Sequence, residues 1–420
     1  MGRLTDATRY DGDLVQLGGA SATSVTLWLF SPTAVAVRLR TRALELVKQA
    51  ELHSSTSVIT LPALVPATSY AWTVELLAAN GTPIFSTDIR ASTLVAEGAT
   101  DAVHFAFGSC TMALPVLYRV FGFGSNLDYI AQTLRPNFML LLGDQVYADV
   151  DGAFDTDALY RKTVHDTSYQ ALTTALPIFS MYDDHEIENN WNGDHATDPL
   201  YAKRTSLYRA YFGQRNPPPV RPGEHYYSWA SGAASFFMLD VRKHASPKYA
   251  MDNGTKTKLG VVQKADLIAW LSTTTTPFKI IVSPMVVSTL GTKSTDEGWA
   301  LYQHEYHEIF SHVHSANISG VVVLSGDLHW SGVFQHGEYP FLFEVGASPI
   351  AAIPVAPWVP DWAIKSPDKL LFSSFTGTHF GHVCVTPLAL DVALYRSRWG
   401  PPTTVFHRRI NLSETVPRPD

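Results

Sequence analysis

The segment FMLLLGDQVYAD, residues 138–149, joins a five-residue apolar run to a turn that carries two acids and a tyrosine. Two later segments have the same design: IFSMYDDHE at 178–186 and VVVLSGDLH at 321–329. Continuous apolar runs of this length are typical of strands that are buried on both faces. Open α/β sheets place their chemistry just beyond the carboxyl ends of such strands. The three segments therefore predict one sheet edge that gathers acidic, tyrosine and histidine side chains, as a metal cluster requires.

Length and composition indicate a globular protein of more than one domain. The chain has 420 residues, of which 46% are hydrophobic and 12% aromatic, enough to fill a sizeable core. The net charge is −7 and there is no basic stripe, so nucleic acid is not expected as the main partner. No run approaches the about 20 apolar residues of a membrane span, and residues 1–6 lack the apolar core of a secretory signal.

Cysteine usage and short motifs bear on the compartment. The two cysteines, Cys110 and Cys384, exclude a disulfide framework and CxxC-type zinc sites but leave one bridge between them open. Four Asn-x-Ser/Thr tripeptides begin at Asn80, Asn253, Asn317 and Asn411. These tripeptides favour a secreted protein whose signal has been removed, with an intracellular protein as the alternative. The sequence does not determine the oligomeric state, and a monomer is favoured.

Residues 1–97 predict an all-β N-terminal domain of the immunoglobulin or fibronectin III type. Several short alternating strands are followed by LVPATSY at 64–70, which leads into a further alternating strand. This motif resembles fibronectin type III domains, in which the tyrosine, here Tyr70, bonds back to nearby backbone. Trp28, Tyr70 and Trp72 are interpreted as sandwich core, and no catalytic residue is expected in this domain.

Residues 98–420 predict a second, catalytic domain, because strands now alternate with helical stretches. The strand at 103–107 ends at Gly-Ser-Cys, so Cys110 is aimed at the same sheet edge as the three acidic segments. Alone, a free cysteine is most often a buried, inert thiol, whereas beside a metal it is a thiolate ligand. The fold class is therefore α/β (α+β), with an N-terminal β-sandwich before the catalytic domain.

Two of the acidic segments admit a structural as well as a metal-binding interpretation. Asp144 could cap a helix and Tyr147 could be a buried ring, but a phenolate three residues from a carboxylate suits Fe(III). His329 could donate to a backbone carbonyl. Ligation is preferred, because Asp327 and His329 lie on one side of an extended strand end.

The segment DDHE, residues 183–186, favours a metal most strongly. Three carboxylates at one strand end repel one another and raise each other's pKa. A structural account needs cations close by, yet no arginine or lysine lies among the nearest residues in sequence. We therefore expect a divalent cation to compensate these charges.

The ordered motifs resemble those of the alkaline phosphatase D (PhoD-type) family of calcineurin-like metallophosphoesterases. They are GSC at 108–110, GDQVYAD at 143–149, DDHE at 183–186, LDVR at 239–242 and SGDLH at 325–329. The match spans about residues 103–385, and an N-terminal β-sandwich is common in that family. The resemblance implies an αββα sandwich over residues 98–420.

The resemblance also implies a two-metal centre. Asp144 matches the carboxylate that bridges both metals, Cys110 and Tyr147 match ligands of Fe(III), and Asp184 matches a ligand of the second metal. The full set of implied metal ligands is Cys110, Asp144, Tyr147, Asp184, Asp327 and His329. The expected cofactors are Fe(III) and a second divalent ion, with calcium preferred over zinc, manganese or magnesium. Ligand softness agrees, because thiolate and phenolate suit iron and carboxylates suit calcium.

Catalytic roles are implied by the same resemblance and by position. His185 matches the histidine near the leaving group and is expected to act as a general acid. Arg242 and Asn190 are candidates for phosphate contacts, although Arg242 could equally pair with Asp240 or Glu186. The broad calcineurin-like pattern also has an opening Asp-x-His and a mid-sheet histidine, which this chain lacks. The implied ligand set is therefore incomplete.

The predicted function is metal-dependent hydrolysis of phosphate esters. The expected enzyme is an alkaline phosphatase D-like phosphomonoesterase or phosphodiesterase, in which a metal-bound hydroxide attacks phosphorus in line. The expected partner is a small phosphate-ester substrate, and the preference for monoesters or diesters is open. Two alternatives are a phospholipase- or nuclease-type phosphodiesterase on the same fold, and a catalytically weak binding protein that its metals stabilise.

Overall fold

Most of the chain is described by a computed structural model, which covers residues 10–112, 125–149, 156–193, 199–289, 298–354, 367–398 and 400–418. The start of the chain at 1–6, for which no secretory signal is predicted, lies outside these ranges. Within them, no helix combines the length and the apolar character needed to cross a membrane.

Seven strands of the described chain build the predicted N-terminal β-sandwich. They are β1 (Leu14–Ala20), β2 (Val25–Phe30), β3 (Ala36–Thr41), β4 (Leu46–Glu51), β5 (Thr56–Leu61), β6 (Ser69–Leu77) and β7 (Pro83–Ser92). One sheet has the strand order β1-β2-β5 and the other the order β4-β3-β6-β7. Inward-facing residues such as Leu27, Val37 and Val74 share one buried core. The all-β character is confirmed, and a domain boundary after residue 97, between β7 and the next strand, stays a proposal.

The aromatic residues of the sandwich do not all have the predicted role. The backbone N–H of Val65 donates to the Tyr70 hydroxyl at 2.8 Å, so the corner tyrosine is confirmed. Trp72 is buried in the sandwich core, as predicted. The interpretation of Trp28 as sandwich core is wrong: its indole Nε1 donates to the carbonyl of Ala210, far along the chain, at 2.9 Å. Successive side chains of a strand point to opposite faces, so Trp28 lies on the face opposite to its inward-facing neighbour Leu27.

The catalytic region has two further sheets and six α-helices among the described residues. The first sheet has the order β10-β9-β8-β18-β19-β20 and the second the order β11-β12-β13-β14-β16-β15-β17. Their strands are β8 (Val103–Gly108), β9 (Phe138–Leu142), β10 (Ile178–Met181), β11 (Tyr227–Ser231), β12 (Ala234–Met238), β13 (Phe278–Val282), β14 (Val321–Ser325), β15 (Ser331–Gln335), β16 (Phe343–Gly346), β17 (Lys369–Ser374), β18 (Thr378–Val385), β19 (Ala389–Ser397) and β20 (Thr403–Asn411). The helices are α1 (Ser125–Tyr129), α2 (Thr156–Val164), α3 (Thr167–Ala175), α4 (Pro199–Tyr211), α5 (Gly260–Thr273) and α6 (Gln303–Ser315).

The two sheets face each other and helices cover both outer faces. Between the sheets, the ring centroid of Phe236 lies 5.2 Å from that of Phe105 and 5.6 Å from that of Phe138. Helices α2, α3 and α4 pack on the first sheet, and α5 and α6 pack on the second. This four-layer order is the αββα arrangement that the sequence motifs imply.

The three apolar runs that predict the site are strands β9, β10 and β14, and every residue in them is buried. Strands β8, β9 and β10 run parallel in the first sheet. Strands β12, β13, β14 and β16 run parallel in the second. Parallel neighbours end at one edge of a sheet, so the turns after β8, β9 and β10 lie side by side.

Candidate metal centre

Four strand ends meet at one place, but the prediction of one sheet edge is wrong, because β8, β9 and β10 belong to the first sheet and β14 to the second. Cys110 follows β8, Asp144 follows β9, Asp184 follows β10 and Asp327 follows β14. Ligand atoms of Cys110, Asp144 and His329 all lie within 4.8 Å of one another. The same limit holds for ligand atoms of Asp144, Asp184 and Asp327. The two triads therefore share Asp144, as expected of a carboxylate between two ions.

Tyr147 and His329 meet at the first triad. The hydroxyl oxygen of Tyr147 lies 3.1 Å from Nε2 of His329. The other ring nitrogen, Nδ1, lies 2.6 Å from the carbonyl oxygen of Ile353, to which its N–H donates. That bond fixes the tautomer and leaves Nε2 as the nitrogen able to ligate. His329 therefore donates to a backbone carbonyl, as the structural interpretation of this residue predicts. Its second ring nitrogen faces the predicted ligands.

Two serines tie Cys110 to the turn after β14. The hydroxyl of Ser348 donates to Sγ of Cys110 at 3.1 Å, and the hydroxyl oxygen of Ser109 lies 3.3 Å from the same sulfur. The serine oxygens also accept from the backbone: Ser109 from Asp327 at 2.9 Å, and Ser348 from His329 at 3.1 Å. Cys110 and Cys384 are both free thiols, so the bridge left open by the cysteine count is not formed.

The side chains of the two triads have the burial and the ligand atoms that suit bound cations. Oδ1 of Asp144 is buried and has no hydrogen-bond partner within the described ranges. Burial, followed by the carboxylates of Asp144 and Asp327, raises the pKa of the Cys110 thiol well above its usual value. Burial also raises the pKa of Asp144. Buried anionic groups are costly unless a cation neutralises them, and thiolate, imidazole, phenolate and carboxylate are all metal ligands.

The acids of the segment 183–186 do not all serve the cluster, which corrects the prediction. Among the described residues, Asp184 is the one acid of this segment that belongs to a ligand triad. Glu186 is fully buried and accepts hydrogen bonds from the backbone N–H groups of Asp144 at 3.0 Å and Gln145 at 2.6 Å. Glu186 therefore holds the turn after β9 in place, which is a structural role for a carboxylate expected to need a metal.

A cation from elsewhere in the chain compensates the other acids of this segment. Arg242 contacts the carboxylate of Asp183 through Nε, and its Nη2 lies 3.2 Å from Oδ1 of Asp184. The expectation that a divalent cation compensates all these charges is corrected in part, because Arg242, 59 residues from Asp183 in sequence, arrives on folding. The alternative pairing of Arg242 with Asp240 occurs through the backbone, whose N–H donates to Oδ1 of Asp240 at 3.0 Å. A phosphate contact by Arg242 stays a prediction.

His185 and Asn190, the other predicted catalytic residues, lie beside the second triad. Nδ1 of His185 lies 2.8 Å from Oδ1 of Asp149. Burial lowers the pKa of His185, but the nearby carboxylates of Asp144 and Asp149 outweigh burial and raise this pKa to about 10. Asn190 is exposed, and its backbone N–H donates to Oδ2 of Asp184 at 2.6 Å. The catalytic roles of His185 and Asn190 stay predictions.

Sequence reasoning missed the residues that orient the predicted ligands. Asp149 and Glu186 were within reach, because both stand inside the quoted acidic motifs. Ser109 also stands beside the cysteine in the first motif. Ser348 carries no signal of its own, since it lies 238 residues from Cys110 in the chain.

Comparison with known proteins agrees with this geometry. The family model of PhoD-like phosphatases matches residues 105–352, a stretch that contains every predicted site residue. The chain belongs to the PhoD-like phosphatase family. Alkaline phosphatase D of Bacillus subtilis (strain 168) is 24% identical to this PhoD-like chain over 287 residues, which make up 58% of the chain and 48% of that protein. The match thus spans about half the length of this curated relative.

Solved structures show that the PhoD-like fold extends over almost the whole chain. A structure of PhoD superposes with a TM-score of 0.73 at 19% identity, covering 93% of this chain and 91% of that one. A purple acid phosphatase from yellow lupin (Lupinus luteus) seeds superposes with a TM-score of 0.68 at 12% identity, covering 94% of this chain and 74% of that one. At such identities the likeness concerns the fold, and it confirms the predicted calcineurin-like metallophosphoesterase architecture.

Proposed function

We propose that this chain hydrolyses phosphate esters at the centre formed by the two triads. The observation that carries the proposal is that Asp144 is shared between them, at the meeting point of four strand ends. When bound, two cations would supply an activated water and offset the charge of the phosphoryl group. Membership of the PhoD-like phosphatase family supports this chemistry.

His185 is the proposed proton donor to the leaving group. Its Nδ1 is held by Asp149, whose other oxygen accepts from the backbone N–H of Asn189 at 2.9 Å. This clamp orients the ring and assigns proton donation to Nε2. The ring centroid of His185 also lies 4.3 Å from that of Tyr147.

The two triads support different metals. The first combines the Cys110 thiol and the His329 imidazole with the nearby Tyr147 phenol, a set that suits Fe(III). The second consists of the carboxylates of Asp144, Asp184 and Asp327, and hard oxygen ligands suit Ca²⁺. We therefore propose iron at the first triad and calcium at the second, with zinc, manganese or magnesium as alternatives for the second.

The proposed substrate is a small phosphate ester. The net charge of −7 gives no general attraction for a polyanion, so the bound cations would provide the local positive field that a phosphate needs. The proposal leaves the choice between monoesters and diesters to measurement with both substrate types.

Substitution of the shared carboxylate tests this function. We expect Asp144→Asn to reduce hydrolysis of aryl phosphate monoesters and diesters by at least about 100-fold, because it weakens both triads at once. The matched control is Asp88→Asn, an exposed aspartate of the β-sandwich that bonds to Thr73 at 2.7 Å. An Asp144→Asn enzyme with full activity in both assays would contradict the proposed centre.

A further inference from the structure

Arg242 is a buried cation directly behind the candidate metal centre. Its side chain is 1% exposed, and it lies between the two adjacent acids Asp183 and Asp184. We propose that Arg242 is a positioning residue: it orients Asp184 for the second metal ion and does not touch the substrate. Asp184 is taken as a metal ligand from the proposed function, on which this inference rests.

The donors of Arg242 are directed at protein oxygens. Nε contacts the carboxylate of Asp183, Nη1 donates to the carbonyl of Trp191 at 3.1 Å, and Nη2 lies 3.2 Å from Oδ1 of Asp184. A guanidinium is a planar fork, so these three contacts fix its orientation as well as its place. The buried side chain of Arg242 offers almost no surface through which a phosphate could reach it from solvent.

Asp184 is contacted on both of its carboxylate oxygens. Oδ2 accepts a hydrogen bond from the backbone N–H of Asn190 at 2.6 Å, and Oδ1 forms an ion pair with Nη2 of Arg242 at 3.2 Å without the geometry of a hydrogen bond. The carboxylate therefore has a fixed direction toward Asp144 and Asp327, its partners in the second triad. Substitution of a group that orients a metal ligand in this way typically lowers metal affinity by about 10- to 100-fold.

The tandem Asp183-Asp184 is thereby divided between two tasks. Asp183 is also buried and pairs with the arginine. Of the two acids, Asp184 belongs to a ligand triad of the described residues and Asp183 does not. Arg242 in turn places one positive charge between two neighbouring buried carboxylates. The pair and the arginine form one preassembled unit beneath the second triad.

Lysine at position 242 separates geometry from charge. Arg242→Lys keeps the cation, but one ammonium cannot reproduce a planar fork with three separate contacts. We expect calorimetric titration of chelator-stripped protein with Ca²⁺ to show about a tenfold or larger loss of affinity at the second triad. At saturating Ca²⁺, the inhibition constant for inorganic phosphate should equal that of the wild type.

Two further variants make the outcome specific. Asp183→Asn leaves the arginine in place but frees it to compete with the metal for Asp184. We therefore expect a smaller loss of Ca²⁺ affinity than in Arg242→Lys. The Asp183→Asn variant also provides the test if Arg242→Lys does not fold. Arg215→Lys is the matched control, because Arg215 is equally buried but packs on Trp28 at the β-sandwich. The Arg215→Lys protein should bind Ca²⁺ with the affinity of the wild type.

The outcomes separate this inference from the proposed function. Wild-type Ca²⁺ affinity in Arg242→Lys, together with a raised inhibition constant for phosphate, would make Arg242 a substrate contact and overturn its positioning role. Wild-type protein that binds no second divalent ion would overturn the two-metal centre itself. Loss of Ca²⁺ affinity with unchanged phosphate inhibition supports the positioning role.

Discussion

Four of the candidate ligands have backbone conformations that residues other than glycine rarely adopt. The φ angles are 63° at Cys110, 53° at Asp144, 63° at Asp327 and 55° at His329. For residues other than glycine, this left-handed region costs about 1 to 2 kcal/mol each. At Cys110 a bond to the neighbouring turn accompanies it: the N–H of Cys110 donates to the carbonyl of Gly143, after β9, at 3.2 Å. Strain concentrated on one cluster of polar residues is typical of a functional site.

The phenol of Tyr147 provides a test of metal identity at the level of one residue. We expect iron-loaded wild-type protein to absorb visible light, because a phenolate bound to Fe(III) is a coloured pair, and Tyr147→Phe to lose the band. The measurement is an absorption spectrum combined with metal analysis. Tyr306→Phe is the matched control: this buried tyrosine lies 2.8 Å from Nδ1 of His336, outside the triads.

A colourless and iron-free enzyme that still hydrolyses phosphate esters would overturn the assignment of iron at the first triad. This result would leave the phosphoesterase proposal intact. The shared Asp144 and the other carboxylates of the second triad do not depend on which metal binds near Tyr147.

At the scale of elements, one carboxylate joins the ends of two parallel strands. Glu186, in the turn after β10, accepts from the backbone N–H groups of Asp144 and Gln145 after β9. It also accepts from the N–H of Asp183 in its own turn at 2.9 Å. The neighbouring turns are thus fixed to each other, which sets the spacing between Asp144 and Asp184 across the two triads.

Glu186→Gln tests this link between β9 and β10. The new amide nitrogen is a donor facing backbone donors, so we expect a loss of about 3 kcal/mol in the free energy of unfolding, together with weaker Ca²⁺ binding. Urea unfolding and calorimetry would measure the two effects. Glu305→Gln is the control: Glu305 is also buried and accepts from the backbone N–H of Leu259 at 3.1 Å, away from the triads.

We expect the Glu305→Gln control to lose stability while its Ca²⁺ affinity stays at the wild-type value. If Glu186→Gln also bound Ca²⁺ like the wild type, the spacing of the triads would not depend on this carboxylate, and its role would be confined to stability.

At the scale of the whole molecule, the β-sandwich is fastened to the catalytic region by buried polar and aromatic contacts. The guanidinium carbon of Arg215 lies 4.4 Å from the ring centroid of Trp28, within cation–π range. Nη1 of Arg215 donates to the side-chain oxygen of Gln16 at 3.2 Å, and Gln16 donates to the carbonyl of Val164 at 2.8 Å. Burial lowers the pKa of Arg215 to about 10, so the group remains charged at neutral pH.

Trp28→Ala tests how much this contact stabilises the molecule. Removing a fully buried tryptophan leaves a cavity beneath Arg215, and we expect a loss of about 3 to 5 kcal/mol in the free energy of unfolding. Thermal or urea unfolding measures the loss, and Ca²⁺ affinity should be unchanged. A loss below about 1 kcal/mol would mean that the two parts are held together by other contacts.

The control for this substitution is Trp72→Ala within the sandwich core. Trp72 is 4% exposed and lies in the core of the sandwich rather than at its contact with α4. We expect Trp72→Ala to destabilise the sandwich itself, so comparison of the two variants separates loss of the domain contact from loss of the domain.

Much of the fold and site could be predicted because it rests on local patterns. The apolar runs became β9, β10 and β14 with every residue buried, since a continuous apolar run needs two covered faces. The residues that follow parallel neighbours such as β9 and β10 reach a common edge by topology alone, so Asp144 and Asp184 could be placed together from the sequence. Asp327 follows β14 of the second sheet, and only the packing of the two sheets brings it to Asp144.

The apolar runs and motifs therefore specify the strands, their ends and the residue types at the cluster, and the family resemblance implies the four layers. Only folding assigns the neighbouring acids their separate roles: Asp184 belongs to a triad, Asp183 pairs with Arg242, and Glu186 binds backbone. It also decided that Trp28 serves the domain contact. Strand periodicity assigns a side chain to a face, but its partner is set by residues that approach from distant parts of the chain.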